Sequence, residues 1–109
     1  MSKLLEMQFT FTLNIAKLIL WAYEQGYKLT LGEGYDDDNT GHMKGSTHYI
    51  RLGQDLNLFI LGEYITSGTH PAFQRLGEAW KALDPLNAWG GDFKSKDSNH
   101  FSMTYEGRR

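Results

Sequence analysis

Residues 55–60 alternate without a break, with Leu56, Leu58 and Ile60 on one side and Asp55, Asn57 and Phe59 on the other. A period of two commits this stretch to a strand with one buried face, and such a strand needs neighbours and a cover. The neighbours are legible. Residues 27–33 read as a strand, because Leu29 and Leu31 alternate with Lys28 and Thr30. Leu61-Gly62 turns the chain into a hairpin partner over residues 63–66. Near the end, Phe101, Met103 and Tyr105 alternate with His100, Ser102 and Thr104.

The cover is helical. The spacing predicts a helix over about residues 12–25, with Phe11, Ile15, Leu18, Ile19 and Ala22 on one face, Thr10 or Thr12 as cap and Gly26 as stop. A second helix is predicted over 73–83 from the stripe Phe73, Leu76, Trp80 and Leu83, entered at Pro71 and left at Pro85. Residues 34–45 and the segment through Trp89-Gly90-Gly91 read as loops. Helix, strand, hairpin, helix, strand describes a single α+β domain over residues 1–109, a small antiparallel sheet with helices packed on one face and a cleft on the other.

Composition narrows the function. With 40% apolar and 14% aromatic residues the chain can bury one core. It has no Cys, which excludes disulfides and thiolate metal sites, so any ion is held by imidazole nitrogen and carboxylate oxygen. Eleven Lys and Arg against thirteen Asp and Glu give none of the basic excess of a nucleic-acid binder. The most apolar run, residues 13–22, contains Lys17 and is too short for a bilayer, which needs about 20 apolar residues. The first residues lack the order of a signal peptide, so the expectation is a monomer, cytoplasmic as synthesised, without membrane insertion.

The alternation carries a chemical clue. Asp55 and His100 each open a strand on the face opposite its core residues. They therefore project from the same face of the sheet, where a carboxylate and an imidazole can meet. His48 precedes Asp55 by an odd separation, which on an unbroken strand sends the two side chains apart. A bend or bulge must intervene, and Gly53 is where one is expected. Two His and an Asp suit zinc, and three protein ligands leave a tetrahedral position open, the pattern of catalytic sites. Asp97 stands three residues before His100, placed to act as a base.

Ser46-Thr47-His48, followed by Arg51-Leu52-Gly53-Gln54-Asp55, resembles the first zinc motif of the D-alanyl-D-alanine carboxypeptidase family of zinc peptidases, Ser-x-His, six residues, Asp. Trp89-Gly90-Gly91-Asp92-Phe93, then Asp97-Ser98-Asn99-His100, resembles the second, in which an acidic residue precedes the last His by three. The resemblance runs from about residue 11 to the end and is strongest to small phage endolysins that cut L-alanyl-D-glutamate bonds of peptidoglycan. It implies that His48, Asp55 and His100 bind Zn2+, that Asp97 is the general base, and that the substrate is a peptidoglycan stem peptide, cut at L-alanyl-D-glutamate or D-alanyl-D-alanine. Arg51 is then a stabiliser of the transition state or an anchor for a substrate carboxylate, and Ser46 fixes the tautomer or the loop around His48. Many relatives carry an Arg where this chain reads Glu33-Gly34-Tyr35-Asp36, which raises the weight on Arg51.

Other residues read more plainly. His42 and His70 lack matching partners and are expected to be solvent-facing loop residues. The cluster Asp36-Asp37-Asp38-Asn39 offers oxygen ligands for calcium but lacks the EF-hand spacing, so a solvated loop is the expectation. Trp21 and Trp80 are expected in the core, and Trp89 as packing behind the second motif. A rival to the enzyme is a cell-wall binding module that keeps the fold and the metal without turnover; the intact Asp97 argues against it.

Overall fold

The first helix begins well before residue 12. In the computed structural model, which describes residues 1–37 and 45–109, α1 spans Lys3–Glu24. Ser2 caps it, its Oγ accepting the Leu5 N–H at 3.1 Å. Leu4 and Met7 extend the buried stripe of Phe11, Leu18 and Ala22 by two turns. Thr10 and Thr12, expected as caps, instead donate their hydroxyls back to the Glu6 and Gln8 carbonyls at 3.3 and 2.9 Å. That bond satisfies a threonine inside a helix and removes its reason to end one. Gly26, at φ 84°, stops the helix as expected.

The remaining elements are β1 (Lys28–Leu31), a 3₁₀ turn (Thr47–Ile50), β2 (Gly53–Ile60), β3 (Glu63–Tyr64), α2 (Pro71–Leu83), β4 (Asn87–Trp89), a second 3₁₀ turn (Gly90–Asp92) and β5 (His100–Met103). Strand β4 falls where a loop was expected. A strand of three residues, set between Pro85 and a Gly-Gly pair, is too short for alternation to register. His70 is also not a plain loop residue. It caps α2, with Nδ1 accepting the Ala72 N–H at 3.1 Å.

All strand pairs are antiparallel, in the order β1-β2-β5-β4, and β3 pairs with β2 as the far arm of a hairpin. Register fixes the faces. Leu29 lies opposite Leu58 and Leu31 opposite Leu56, while Phe101 lies between Gln54 and Trp89. Phe101 meets the Trp80 ring edge-on at 6.2 Å, and Trp80 meets Phe11 at 5.7 Å. One face of the sheet therefore packs on α2, and α2 packs on α1. Trp80, Phe101, Leu18, Leu56, Leu58 and Leu76 are fully buried in this layer. Asp55 and His100 are direct cross-strand partners on the opposite face.

Expected alternation of burial fails in β5, where all four residues are buried. The strand lies between β2 and β4, and its outer face is covered in turn by Phe93 and His48, whose rings approach His100 at 5.7 and 5.0 Å. Glycine makes this second cover possible. A Cβ on Gly53 would lie 2.6 Å from Thr47 Oγ1 and 3.2 Å from His100 Cε1.

Candidate metal centre

Three side chains from three elements converge on the side of the sheet away from the helices. His48 comes from the first 3₁₀ turn, Asp55 from β2 and His100 from β5. One ligand atom from each lies within 4.8 Å of the others, and among the described residues no other group of His and carboxylate side chains can hold a metal ion. Asp55 Oδ1 is the hub, 3.3 Å from His48 Nε2 and 3.2 Å from His100 Nδ1. Both imidazoles are buried, and Asp55 is half-buried.

The parity conflict between His48 and Asp55 is resolved without a bulge at Gly53. Gly53 sits in the regular ladder, opposite Ser102. The direction change happens upstream, where the 3₁₀ turn ends at Arg51 in the left-handed region, φ 58° and ψ 33°. A 3₁₀ turn plus one left-handed residue is not strand, so counting in twos does not apply between His48 and Gly53. A bulge does occur on the other side of Asp55. Asp55 O accepts the Gly32 N–H at 2.8 Å, while the Asp55 N–H donates to Glu33 O at 2.7 Å. Two successive residues thus oppose one, which is the arrangement of a β-bulge.

That bulge carries the chain on to Gly34, whose carbonyl oxygen lies 2.7 Å from His48 Nδ1. A carbonyl can only accept, so Nδ1 bears a proton; the protonated ring donates Nε2–H to Asp55, and on losing that second proton it presents a lone pair at Nε2. The tautomer is therefore set by Gly34, and Ser46 has the other expected role. It caps the 3₁₀ turn, its Oγ accepting the His48 N–H at 3.2 Å. His100 shows Nδ1 to Asp55 and keeps Nε2 buried without a hydrogen-bond partner among the described residues.

Electrostatics follow from this geometry. Burial pushes the Asp55 carboxyl up, but hydrogen bonds from His100 and His48 and the charge of both rings outweigh it and bring the group down to about 2. Burial pulls His48 down, and is outweighed by the Asp55 hydrogen bond, the Gly34 carbonyl and the charges of Asp55 and Glu33, so its pKa rises above 6.5. The cluster holds a carboxylate ionised at any physiological pH and draws positive charge toward it.

Asp97 and Arg51 lie in the two segments that carry the histidines, Asp97 before His100 and Arg51 after His48. Asp97 is exposed and sits in the turn entering β5. Its N–H donates to Gly90 O at 2.9 Å, and its own carbonyl accepts the His100 N–H at 3.0 Å. The turn is braced from behind by Trp89, whose indole N–H donates to Ser98 O at 2.7 Å. Asp97 also lines a cleft of about 360 Å³ with Asn57, Tyr64, Thr66, Lys96 and Ser98, beside the start of β5, where the outer half of β2 lacks that neighbour; none of His48, Asp55 and His100 lines it. Arg51 is exposed, with its guanidinium 3.7 Å from the centre of the Tyr35 ring. Nothing in the sequence signalled the Gly34–His48 bond or the Arg51–Tyr35 stack, because both join residues separated by a loop.

Asp36 and Asp37 are not part of any ion-holding group among the described residues, and Asp38, Asn39 and His42 lie outside them. Among the described residues no helix is long and apolar enough to cross a membrane. No protein-family profile and no curated protein matches the sequence. Among solved structures, the chain is similar to the L-Ala D-Glu endopeptidase ChiX of Serratia marcescens, with a TM-score of 0.60 at 18% identity over 84% of this chain and 78% of that one. The likeness is one of fold, a small α+β domain with an open antiparallel sheet and two helices.

Proposed function

We propose that the chain is a zinc-dependent peptidoglycan peptidase of the phage endolysin type, hydrolysing an L-alanyl-D-glutamate or D-alanyl-D-alanine amide of the stem peptide. The observation that carries the reading is the convergence of His48 Nε2 and His100 Nδ1 on one oxygen of Asp55. Ligands about 2.0–2.1 Å from a tetrahedral zinc stand about 3.3 Å from one another. Two of the three pairwise distances, 3.2 and 3.3 Å, match that edge and are long for charge-assisted hydrogen bonds, which run at about 2.7–2.9 Å, and all three ligand atoms lie within 4.8 Å. The donor set also fits, since two neutral imidazoles and one carboxylate leave net positive charge on a divalent ion. The fold likeness to an L-Ala D-Glu endopeptidase supports the substrate class.

When bound, zinc supplies Lewis acidity toward a carbonyl and a nucleophilic water near neutral pH. The chain's own residues do the rest. His48 is held in its ligating tautomer by Gly34. Asp97 is the proton carrier, taking a proton from the attacking water and passing it to the leaving amine. Its exposed place in the turn that enters β5, three residues before His100, leaves it accessible to substrate. Arg51, set at the end of the ligand-bearing turn, anchors a substrate carboxylate, and its stack on Tyr35 limits the freedom it must lose on binding.

Purified cell wall is the test substrate. The protein should clear it, lose that ability in chelator and regain it with zinc, and mass analysis of released muropeptides should show a new amino terminus at one stem-peptide bond. Clearing that persists in the stripped protein sinks the metal mechanism. Wall binding without release of fragments supports the binding-module reading instead.

A further inference from the structure

Helix α1 has two apolar faces. Phe11, Asn14, Leu18 and Ala22 are buried against the domain. Leu5, Phe9, Leu13, Ala16 and Leu20 recur at intervals of three and four and remain exposed, Phe9 and Leu13 at 56% and Leu20 at 66%. At about 100° per residue the second stripe points away from the first by about 180°. A surface helix of a monomer needs one apolar stripe, and a second with this spacing is the seam of a helix pair.

The charges beside the stripe indicate the partner. Lys3, Glu6, Lys17 and Glu24 are exposed and all lie along one flank of it. Among the described residues none of the four makes an ion pair within the chain. Two copies of α1 related by a twofold axis run antiparallel and bring the same flank of each together. With Leu5 set against Leu20 of the second copy and Phe9 against Ala16, Lys3 comes opposite Glu24 and Glu6 opposite Lys17. A parallel pair turns this flank toward the other one, which carries Gln8, Thr12 and Ile19 and offers these charges nothing. A membrane surface is also poorly served, because an interfacial helix carries Lys and Arg along its flanks and this flank is half acidic.

We propose that the outer face of α1 joins two copies of this chain as an antiparallel homodimer, in place of the monomer expected from the sequence. The inference is independent of what the metal centre does. The contact is one helix wide, so the dimer forms reversibly.

Sedimentation equilibrium from about 1 to about 500 µM tests it, since the weight of a self-associating chain depends on concentration. The mass should rise from 12.5 kDa toward twice that value. Lys17→Glu should weaken association at least tenfold with an unchanged circular dichroism spectrum, and the pair Glu6→Lys with Lys17→Glu should restore it. Because the chain has no Cys, orientation can be read by cross-linking. A mixture of Leu5→Cys and Leu20→Cys variants should form a disulfide-linked dimer that neither forms alone. A constant monomer mass over the whole range overturns the proposal, as does association indifferent to the charge exchange. So does self-cross-linking of each single variant, which would mean a parallel pair, or a monomer that floats with lipid vesicles.

Discussion

Gly90→Ala is the most informative single change. Gly90 does not have a positive φ, so alanine is acceptable to the backbone and the whole effect must be steric. An added Cβ would stand 2.0 Å from the Asp97 carbonyl oxygen and 2.9 Å from His100 Cβ, where real Cβ contacts essentially never fall below 3.0 Å. The obstacle is backbone, and it is the turn that carries Asp97 and hands His100 to β5 through the bonds at 2.9 and 3.0 Å. That turn must retreat by about 1 Å, whereas metal–ligand distances tolerate only about 0.2 Å. A 1 Å displacement of reacting groups costs on the order of 100-fold in rate, and disturbance of a ligand's support costs about 10–100-fold in metal affinity. Overpacking adds about 1–3 kcal/mol of instability, or about 4–8 °C of melting temperature per kcal/mol in a domain of this size. Zinc affinity by competition with a chromogenic chelator, melting temperature and wall clearing should all fall together. Gly62→Ala is the control. Its Cβ meets nothing within 4 Å but its φ is +80°, so it should lose about 1–2 kcal/mol and keep its zinc. Wild-type zinc affinity and turnover in folded Gly90→Ala would refute the argument.

Other outcomes follow from the same geometry. Asp97→Asn should bind zinc as the parent does and lose about 10²–10⁴-fold in turnover, seen by pairing calorimetric zinc titration with muropeptide release. Gly77→Ala places a Cβ 2.2 Å from the Trp89 ring. Its better helix propensity, about 1 kcal/mol, should be outweighed by an overpacking cost of about 1–3 kcal/mol, so the melting temperature should drop. In chelator, the Asp55 contribution is present above pH 3.8 and is lost as pH falls toward about 2. The His48 contribution is full below pH 6.5 and is lost as pH rises through its raised folded value. The metal-free protein should therefore gain most from this cluster between pH 3.8 and 6.5. Zinc needs His48 deprotonated, so zinc-dependent stabilisation should grow with pH over the range where the metal-free contribution fades. Parallel melts across pH with and without zinc would show the two trends, and parallel slopes would contradict them.

The helices and strands that the sequence disclosed were those with several periods of pattern. Leu56, Leu58 and Ile60 declared β2, and Leu76 and Trp80 declared α2, because a repeated spacing is a property of the chain before it folds. The same reasoning put Asp55 and His100 on one face, where they are cross-strand partners. It failed where a single interaction outweighs a pattern. Thr10 and Thr12 looked like caps and were absorbed into α1 by their bonds to Glu6 and Gln8. His70 looked idle and turned out to cap α2. The approach of His48 to Asp55 depends on one left-handed residue, Arg51, and a left-handed Arg leaves no compositional trace as a glycine would.

The pair Gly32 and Glu33 opposite Asp55 acts as a shim. One surplus residue in an otherwise even ladder advances the following chain by a single step, and that step delivers the Gly34 oxygen to His48. Removing either residue would let the two strands zip up with no loss of sheet and would present a different carbonyl to the imidazole. The sheet would be tidier, and the ring would be free to carry its proton on the wrong nitrogen. A blemish in strand pairing is thus what keeps one histidine ready.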